Sequence, residues 1–354
     1  MLKIIDLYIG RSILSTSLLS LSVLLALSGM FRFIDQLRVV GRGDYTMLVA
    51  AMFSLCSVPG DIVMFFPMAA LIGALIGLGM LASNSELVVM QAAGMSRLNI
   101  ISSVMKSALL MMLVVMAVGE WAAPASEKFA RELKTKAISG GNLFAAQQGV
   151  WAKDGDDFVN IRQVSDDGGL KNVTIYEFSP ELALQAIVNA KSAVFVAGVW
   201  QLEQVSRLHF RDDKVEQHQW AQQRWRSSLT PDKLGVVSVK PELLSLQGLS
   251  SYLDYLDANQ QDSSRYQLAY WRKATQPLTI VAMMLMALSF IFGPLRSVTM
   301  AARVLMGILT GFGFHMANEV FGPIALVYQL PPLLGAIFPS LLFIGLSGYL
   351  MQKK

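Results

Sequence analysis

From Ile13 to Phe31 the chain carries no charged side chain. A bilayer's hydrocarbon core is about 30 Å thick, and about 20 apolar residues of helix cross it. Five further stretches are as long and mostly apolar, with few charges, at about 61–82, 98–123, 267–292, 298–320 and 333–351. No water reaches backbone N–H and C=O groups inside such a layer, so each stretch must satisfy its own as a helix. Composition agrees: 54% of the 354 residues are hydrophobic and 15% charged, with a mean hydropathy of +0.48. The class is a polytopic helical membrane protein rather than a soluble enzyme. Ala26-Leu-Ser28 resembles a leader cleavage site, but the run is long for a leader's apolar core. It is read as a retained first span.

Arg32, Asp35, Arg38, Arg42 and Asp44 follow that span, with glycines at 41 and 43. The next apolar region, Thr46 to Met80, is too long for one upright helix, and Pro59-Gly60-Asp61 interrupts it. A tilted or interfacial helix over about 46–58 is expected before the second span. Asp61 is read as a helix-start cap near the outer interface, ahead of a proton-transfer role. Gly73-x-x-x-Gly77 permits close helix packing. In the third span Lys106 can snorkel and Glu120 lies near the far end; Pro124 is expected to stop the helix.

Composition changes at about 125. Residues 125–139 read as a helical extension with Glu127, Lys128, Arg131, Glu132, Lys134 and Lys136. From Asn142 to about 240 short strands alternate with turns, as in 149–153, 157–162, 172–178, 193–197 and 200–205. Asp154-Gly-Asp and Asp167-Gly-Gly are hairpin signals. Such spacing predicts a sandwich or jelly roll, long enough to bury its own core. Leu249–Asn259 reads as an amphipathic helix returning to the membrane. The fourth span carries Arg272, Lys273 and Gln276-Pro277, and the tight turn Gly293-Pro-Leu-Arg296 follows it. The fifth carries Arg303, His315, Asn318 and Glu319. The domain plan is therefore spans 1–3 over 1–124, an all-β jellyroll-like insert with flanking helices over 125–262, and spans 4–6 over 263–354.

Six spans place both termini on one side. Lys3, Arg11, Arg97, Arg296, Arg303, Lys353 and Lys354 fall there, against Arg32, Arg38 and Arg42 in the opposite short loops. The positive-inside rule makes the termini cytoplasmic and the β insert extracytoplasmic. Arg32, Arg38, Arg42, Lys128, Arg131, Lys134, Lys136, Arg272 and Lys273 then lie outside, near span ends. They either snorkel to lipid phosphate or form a basic ring for an anionic ligand. A charge-assisted hydrogen bond contributes roughly 1.5–3 kcal/mol, so a few would hold a polyanionic head group.

Leu81–Arg97 sits between two apolar spans on the cytoplasmic side. Ser83, Asn84 and Ser85 offer N-cap oxygens, Glu86 suits the first turn, and Gly94 suits the stop. Leu87, Val88, Met90 and Gln91 leave an apolar surface about one helix wide. The stretch is either a plain interhelical turn or a knob that a separate soluble protein grips.

Catalytic patterns are missing. There is no G-x-x-x-x-G-K-[ST] loop, G-x-S-x-G or H-E-x-x-H. Cys56 is the one cysteine, and His209, His218 and His315 show no ligand spacing. No catalytic residue, metal site or nucleic-acid partner is expected.

Glu120-Trp-Ala-Ala-Pro124, Ser85-Glu-Leu-Val-Val-Met-Gln-Ala-Ala-Gly94, Gln148-Gly-Val-Trp-Ala-Lys153 and Ala287-Leu-Ser-Phe-Ile-Phe-Gly-Pro-Leu-Arg-Ser297 resemble the lipopolysaccharide export permeases, the LptF/LptG family. Leu229-Thr-Pro-Asp-Lys-Leu-Gly-Val-Val237 points to the LptG branch. The resemblance covers essentially the whole chain. It implies a six-span inner-membrane subunit that pairs with LptF, carries a periplasmic β-jellyroll and sits on a dimer of the ATPase LptB. It also implies LptC as the receiver of the lipid, and spans 1 and 5 as the lateral gate. ATP and magnesium would lie on the ATPase, with no cofactor on this chain. The family's coupling helix falls on about 83–94, with Glu86, Leu87, Met90 and Gly94 as coupling residues. Its lipid-phosphate contacts match Arg32, Arg38, Arg131 and Lys134. The family often has a second basic residue beside the one at 38; here it is Val39.

Three functions are weighed: a subunit of an ATP-driven lipid extractor, an ion-coupled secondary transporter using Asp61, Glu120 and Glu319, and a non-transporting assembly platform. Repeated halves and paired broken helices, marks of the second, are not evident in the sequence.

Overall fold

The computed structural model describes residues 4–139, 149–164, 168–181, 183–211, 214–231, 233–234, 241–292 and 298–352. The expected turn at 293–296, Gln148, Asp167, most of 232–240 and the two C-terminal lysines lie outside the described residues. The chain divides into two compact units. One comprises 1–32, 57–126 and 264–354; the other comprises 33–56 and 127–263.

Among the described residues, five helices are long and apolar enough to cross a membrane, and a bent pair brings the number of spans to as many as six. They are α1 (Ile4–Leu37), α3 (Val58–Ser83), α5 (Arg97–Ala117) with its continuation, α10 (Met300–Val327) and α11 (Pro332–Gln352). Within the first unit α3 is the central helix, buried from Ala69 to Leu75 without a break. In lipid, helices gain little by hiding apolar surface from water, so close packing decides which ones associate. Glycine provides it. A Cβ on Gly73 would fall 2.3 Å from the Ser17 Cα of α1. On another side of α3, Gly307 and Gly311 of α10 approach the side chains of Leu75 and Met68. The core then fills with Ile9, Ile13, Leu71, Leu75, Leu78, Ile100, Val104, Met283 and Met286.

Two expectations about helix ends are corrected. Pro124 does not stop the third span. Val118–Ala122 forms a π-helical turn, with the Ala123 N–H bonded to the Val118 carbonyl, and α6 (Ala123–Ser139) continues. A proline ring collides with the carbonyl four residues back and offers no N–H. The widened turn before it absorbs both defects. The fourth span, conversely, is not one straight helix. α8 (Ser264–Ala274) and α9 (Gln276–Phe292) meet at 52°. Pro277 cannot donate to the Lys273 carbonyl, so the chain restarts at Gln276 with proline in the first turn, where its missing donor costs nothing.

The second unit contains α2 (Met47–Cys56), the sheet, and α7 (Leu246–Ala258). The sandwich or jelly-roll expectation resolves into one antiparallel sheet in chain order. Its strands are β1 (Val150–Asp154), β2 (Asp157–Val164), β3 (Leu170–Phe178), β4 (Leu184–Val196), β5 (Val199–Arg211) and β6 (Lys214–Trp225). Ile161, Val173, Ala190 and Val205 form one buried row across four strands. Val164, Leu170, Ala193 and Leu202 form another. The two rows are three residues apart on every strand, whereas a regular strand repeats each face every two. The alternation therefore slips by one residue along a line crossing the sheet. Asn172 (φ +52°) and Gln204 (φ +50°) lie on that line.

α7 is fastened to the β1–β2 turn. The Tyr255 hydroxyl donates to the Lys153 carbonyl at 2.6 Å, and the Gly155 N–H donates to Asn259 Oδ1 at 2.6 Å. Burial, and then the charge of Asp154, push the Tyr255 phenol up to about 12. The Trp200 indole donates to the Leu229 carbonyl at 2.7 Å, which gives the start of the Leu229–Val237 stretch a structural job.

Candidate functional site: the α4 cassette and the cations at helix ends

α4 (Glu86–Ala92) is seven residues long. Its start is not capped as expected. Ser85 has left-handed backbone (φ +61°) and makes no side-chain cap. A cap needs extended backbone at that position. Ser83 Oγ donates instead to the Met80 carbonyl, and Asn84 Nδ2 to Glu86 Oε1. The exit is as expected. Gly94 (φ +95°) donates to the Gln91 carbonyl, and Met95 to the Met90 carbonyl. This pair of bonds satisfies the last orphan carbonyls of the helix.

Leu87 is buried, and Met90 and Met95 pack against the helical core. These three root the cassette. The face left open is Val88 (54% exposed) and Val89 (65%). Glu86 Oε2 accepts from the Tyr8 hydroxyl of α1 at 2.7 Å, so α1 helps aim the acidic group.

Among the cations near helix ends in the first unit, Arg32 donates through Nη2 to Asp61, whose other oxygen accepts from Ser28 Oγ at 3.0 Å. Asp61 thus ties α1 to α3 and is not the expected helix cap. Lys273 donates to the Gly119 carbonyl at 2.7 Å and lies 3.8 Å from Glu120. The π turn helps make this possible, because it presents Gly119 and Glu120 together. Arg272 donates to the Asn318 carbonyl and lies 4.0 Å from Glu319. On the other side of the bundle, Lys106 does not simply snorkel. It donates to Asp6 of α1 at 2.6 Å, and Ser103 Oγ donates to the same carboxylate. Arg303 is buried and donates to the Gly79 carbonyl at 2.8 Å.

In the second unit, Arg38 is exposed and only loosely paired, 4.0 Å from Asp35. Arg131 pairs with Glu127 one turn earlier at 3.1 Å. Lys134 donates to Gln36 Oε1 at 2.7 Å, with its ammonium 5.0 Å from the Phe53 ring centre and 5.9 Å from that of Tyr45. The Tyr45 hydroxyl donates to the same Gln36 oxygen, and burial pushes its pKa up. Gly43, with positive φ and the carbonyls of Ala137 and Ile138 against its Cα, lets the 38–46 turn lie on α6. Sequence reasoning missed this box of Gln36, Tyr45 and Phe53. The partners are far apart in the chain and carry no spacing signal. Arg32 on one side and Arg38, Arg131 and Lys134 on the other belong to different units.

The model of the lipopolysaccharide export system permease LptF/LptG family matches residues 7–353. The lipopolysaccharide export system permease protein LptG of Escherichia coli (strain K12) is 48% identical over 354 residues, covering 99% of this chain and 98% of that protein. LptG of Haemophilus influenzae is 45% identical over 356 residues, covering 100% and 99%. LptF of Escherichia coli (strain K12) is 28% identical over 201 residues, covering 56% and 53%. The resemblance carried by the short motifs thus extends over the full length, and the chain belongs to the LptF/LptG family of lipopolysaccharide export permeases, on the LptG side.

Proposed function

We propose that this permease is the membrane subunit of an ATP-driven machine that lifts lipopolysaccharide from the bacterial inner membrane toward a periplasmic bridge. It pairs with LptF on an LptB dimer that holds ATP and magnesium, and LptC receives the lipid. Both termini and α4 face the cytoplasm; the sheet faces the periplasm. α4 is the coupling helix, with Glu86 as its polar contact, Leu87 and Met90 as its root and Gly94 as its stop. Arg32, Arg38, Arg131 and Lys134 meet the lipid's phosphates.

One observation carries this reading. A seven-residue helix is rooted in the core by Leu87 while Val88 and Val89 stay open and Glu86 is held by Tyr8. A simple turn needs none of that. Mild-detergent purification should bring down a nucleotide hydrolase and a sibling permease. Glu86→Ala should keep the subunits together yet cut ATP-driven lipid release severalfold. Normal release at normal hydrolase occupancy sinks the coupling role. Arg131→Glu with Lys134→Glu should weaken crosslinking to lipopolysaccharide; unchanged crosslinking removes both from the lipid site.

The ion-coupled alternative draws on Asp61, Glu120 and Glu319. Each has a cation within 4.0 Å. Each of these pairs joins two different helices, an arrangement that suits a fixed tie better than a relay.

A further inference from the structure

We infer that Asp61 is a built-in rival for the anionic head group at Arg32, and that it sets how readily the lipid is let go there. The inference rests on the reading that Arg32 meets lipid phosphate. The Asp61 side chain is 3% exposed and that of Arg32 34%. Asp61 takes one hydrogen bond from the guanidinium and one from Ser28 Oγ, one turn earlier on the same helix. The carboxylate is therefore gripped at both oxygens by α1, sealed from solvent, and fixed against the cation. A guanidinium has five N–H donors and this side chain is half-open, so donors beyond the one given to Asp61 remain for a second anion.

A phosphate arriving there shares the guanidinium with an anion that cannot leave. Donors are divided, and the two anions repel across a few ångströms of poorly polarisable protein. Capture is weaker than an unopposed arginine would give. That suits transport, where a site must be attractive enough to fill and weak enough to empty. No covalent bond changes: one anion crowds another on a shared cation.

Asp61→Asn removes the charge at almost constant size. In the assembled complex in lipopolysaccharide-containing membranes, photocrosslinking reads capture and an ATP-driven transfer assay reads release. Asp61→Asn should raise capture about fivefold and slow release comparably. Adding Arg32→Gln should return capture to the level of Arg32→Gln alone. Ser28→Ala loosens the carboxylate without changing charge and should raise capture about twofold; it replaces Asp61→Asn should that variant not assemble. Capture that is unchanged or lower in the variant used overturns the inference, because Asp61 would then position Arg32 rather than oppose the lipid. A gain that persists without Arg32 overturns it too. Wild-type capture in Arg32→Gln alone defeats the underlying reading of Arg32 instead.

Discussion

The two ends of α1 carry nearly the same chemistry with the helices exchanged. Near its start, Asp6 of α1 is buried between Ser103 and Lys106 of α5. Near its finish, Arg32 and Ser28 of α1 hold the buried Asp61 of α3. Each cluster holds a sealed carboxylate, a serine hydroxyl and a half-open cation, with Lys106 42% and Arg32 34% exposed. The difference is which helix owns the cation. At the first end the neighbour supplies it and α1 supplies the buried charge. At the second end α1 carries the cation toward the open side. Like chemistry thus serves fastening in one place and is proposed to serve cargo in the other.

The largest test of this comparison is the cost of losing each partner. Taking the cation away from a buried carboxylate costs up to about 3 kcal/mol, whereas a half-open cation that loses its carboxylate can turn to water. Lys106→Met should therefore destabilise the purified protein by about 3 kcal/mol, and Asp6→Asn by only about 1 kcal/mol. Denaturant unfolding in detergent reads both, and the reverse order would break the account of the fastening end. Next in size is the effect on cargo. Arg32→Gln should lower lipopolysaccharide crosslinking about fivefold, while Lys106→Gln stays within about twofold of wild type per folded molecule. Equal losses at both ends would erase the distinction. Tyr8→Phe should lower ATP-driven release about twofold, the worth of one partly exposed hydrogen bond to Glu86; full release would leave Glu86 independent of α1.

The smallest effect comes from a third pair, on the sheet. Arg207 donates to Glu177, and both side chains are about one-third exposed. Such a pair is worth at most about 1 kcal/mol. Burial pushes the Glu177 and Asp157 carboxyls up, and nearby charges adjust them further. The folded state then holds protons that the unfolded chain has already lost. Stability should fall as pH rises from the ordinary carboxylate range, about 4, through the raised pKa values, and level off once both groups are ionised. Glu177→Gln should flatten that slope. A slope of opposite sign in thermal melts between about pH 4 and 7 would show that the Arg207 attraction outweighs burial.

Much of this molecule is readable in its sequence because some signals are local. Apolar run length alone marks the spans, and Gly73-x-x-x-Gly77 announces the tight contact that α1 makes. Gly94 closes α4 because its backbone conformation is a property of one residue. The rest fails for physical reasons. Arg32 and Asp61 are 29 residues apart, and Asp6 and Lys106 are 100 apart, so no spacing rule joins them. The sheet is harder still. Alternation read along β3 or β5 changes phase at Asn172 or Gln204, so each long strand looks like a short one that ends there. β4 runs from Leu184, and its first stretch buries Ala186, Val188 and Ala190 in alternation, but two of these are alanines and give only a weak apolar signal. The polar β6, with Lys214, Gln217, His218 and Gln219 among its residues, gives almost no strand signal. At the cassette, periodicity finds the apolar residues but cannot tell the rooted Leu87 from the open Val89.

The contact between α1 and α3 limits what a moving permease of this kind can do. Thr16 Oγ1 donates to the Gly73 carbonyl at 2.6 Å, and Ser12 Oγ to the Gly77 carbonyl at 3.3 Å. Any side chain at position 73 would collide with the backbone of Ser17. Riveted there, the two helices form a single plank. If a sideways door opens here to admit lipid, its hinge line cannot run down this seam. The swing has to occur along the other flank of α1, where Leu19, Val23 and Leu27 stand uncovered.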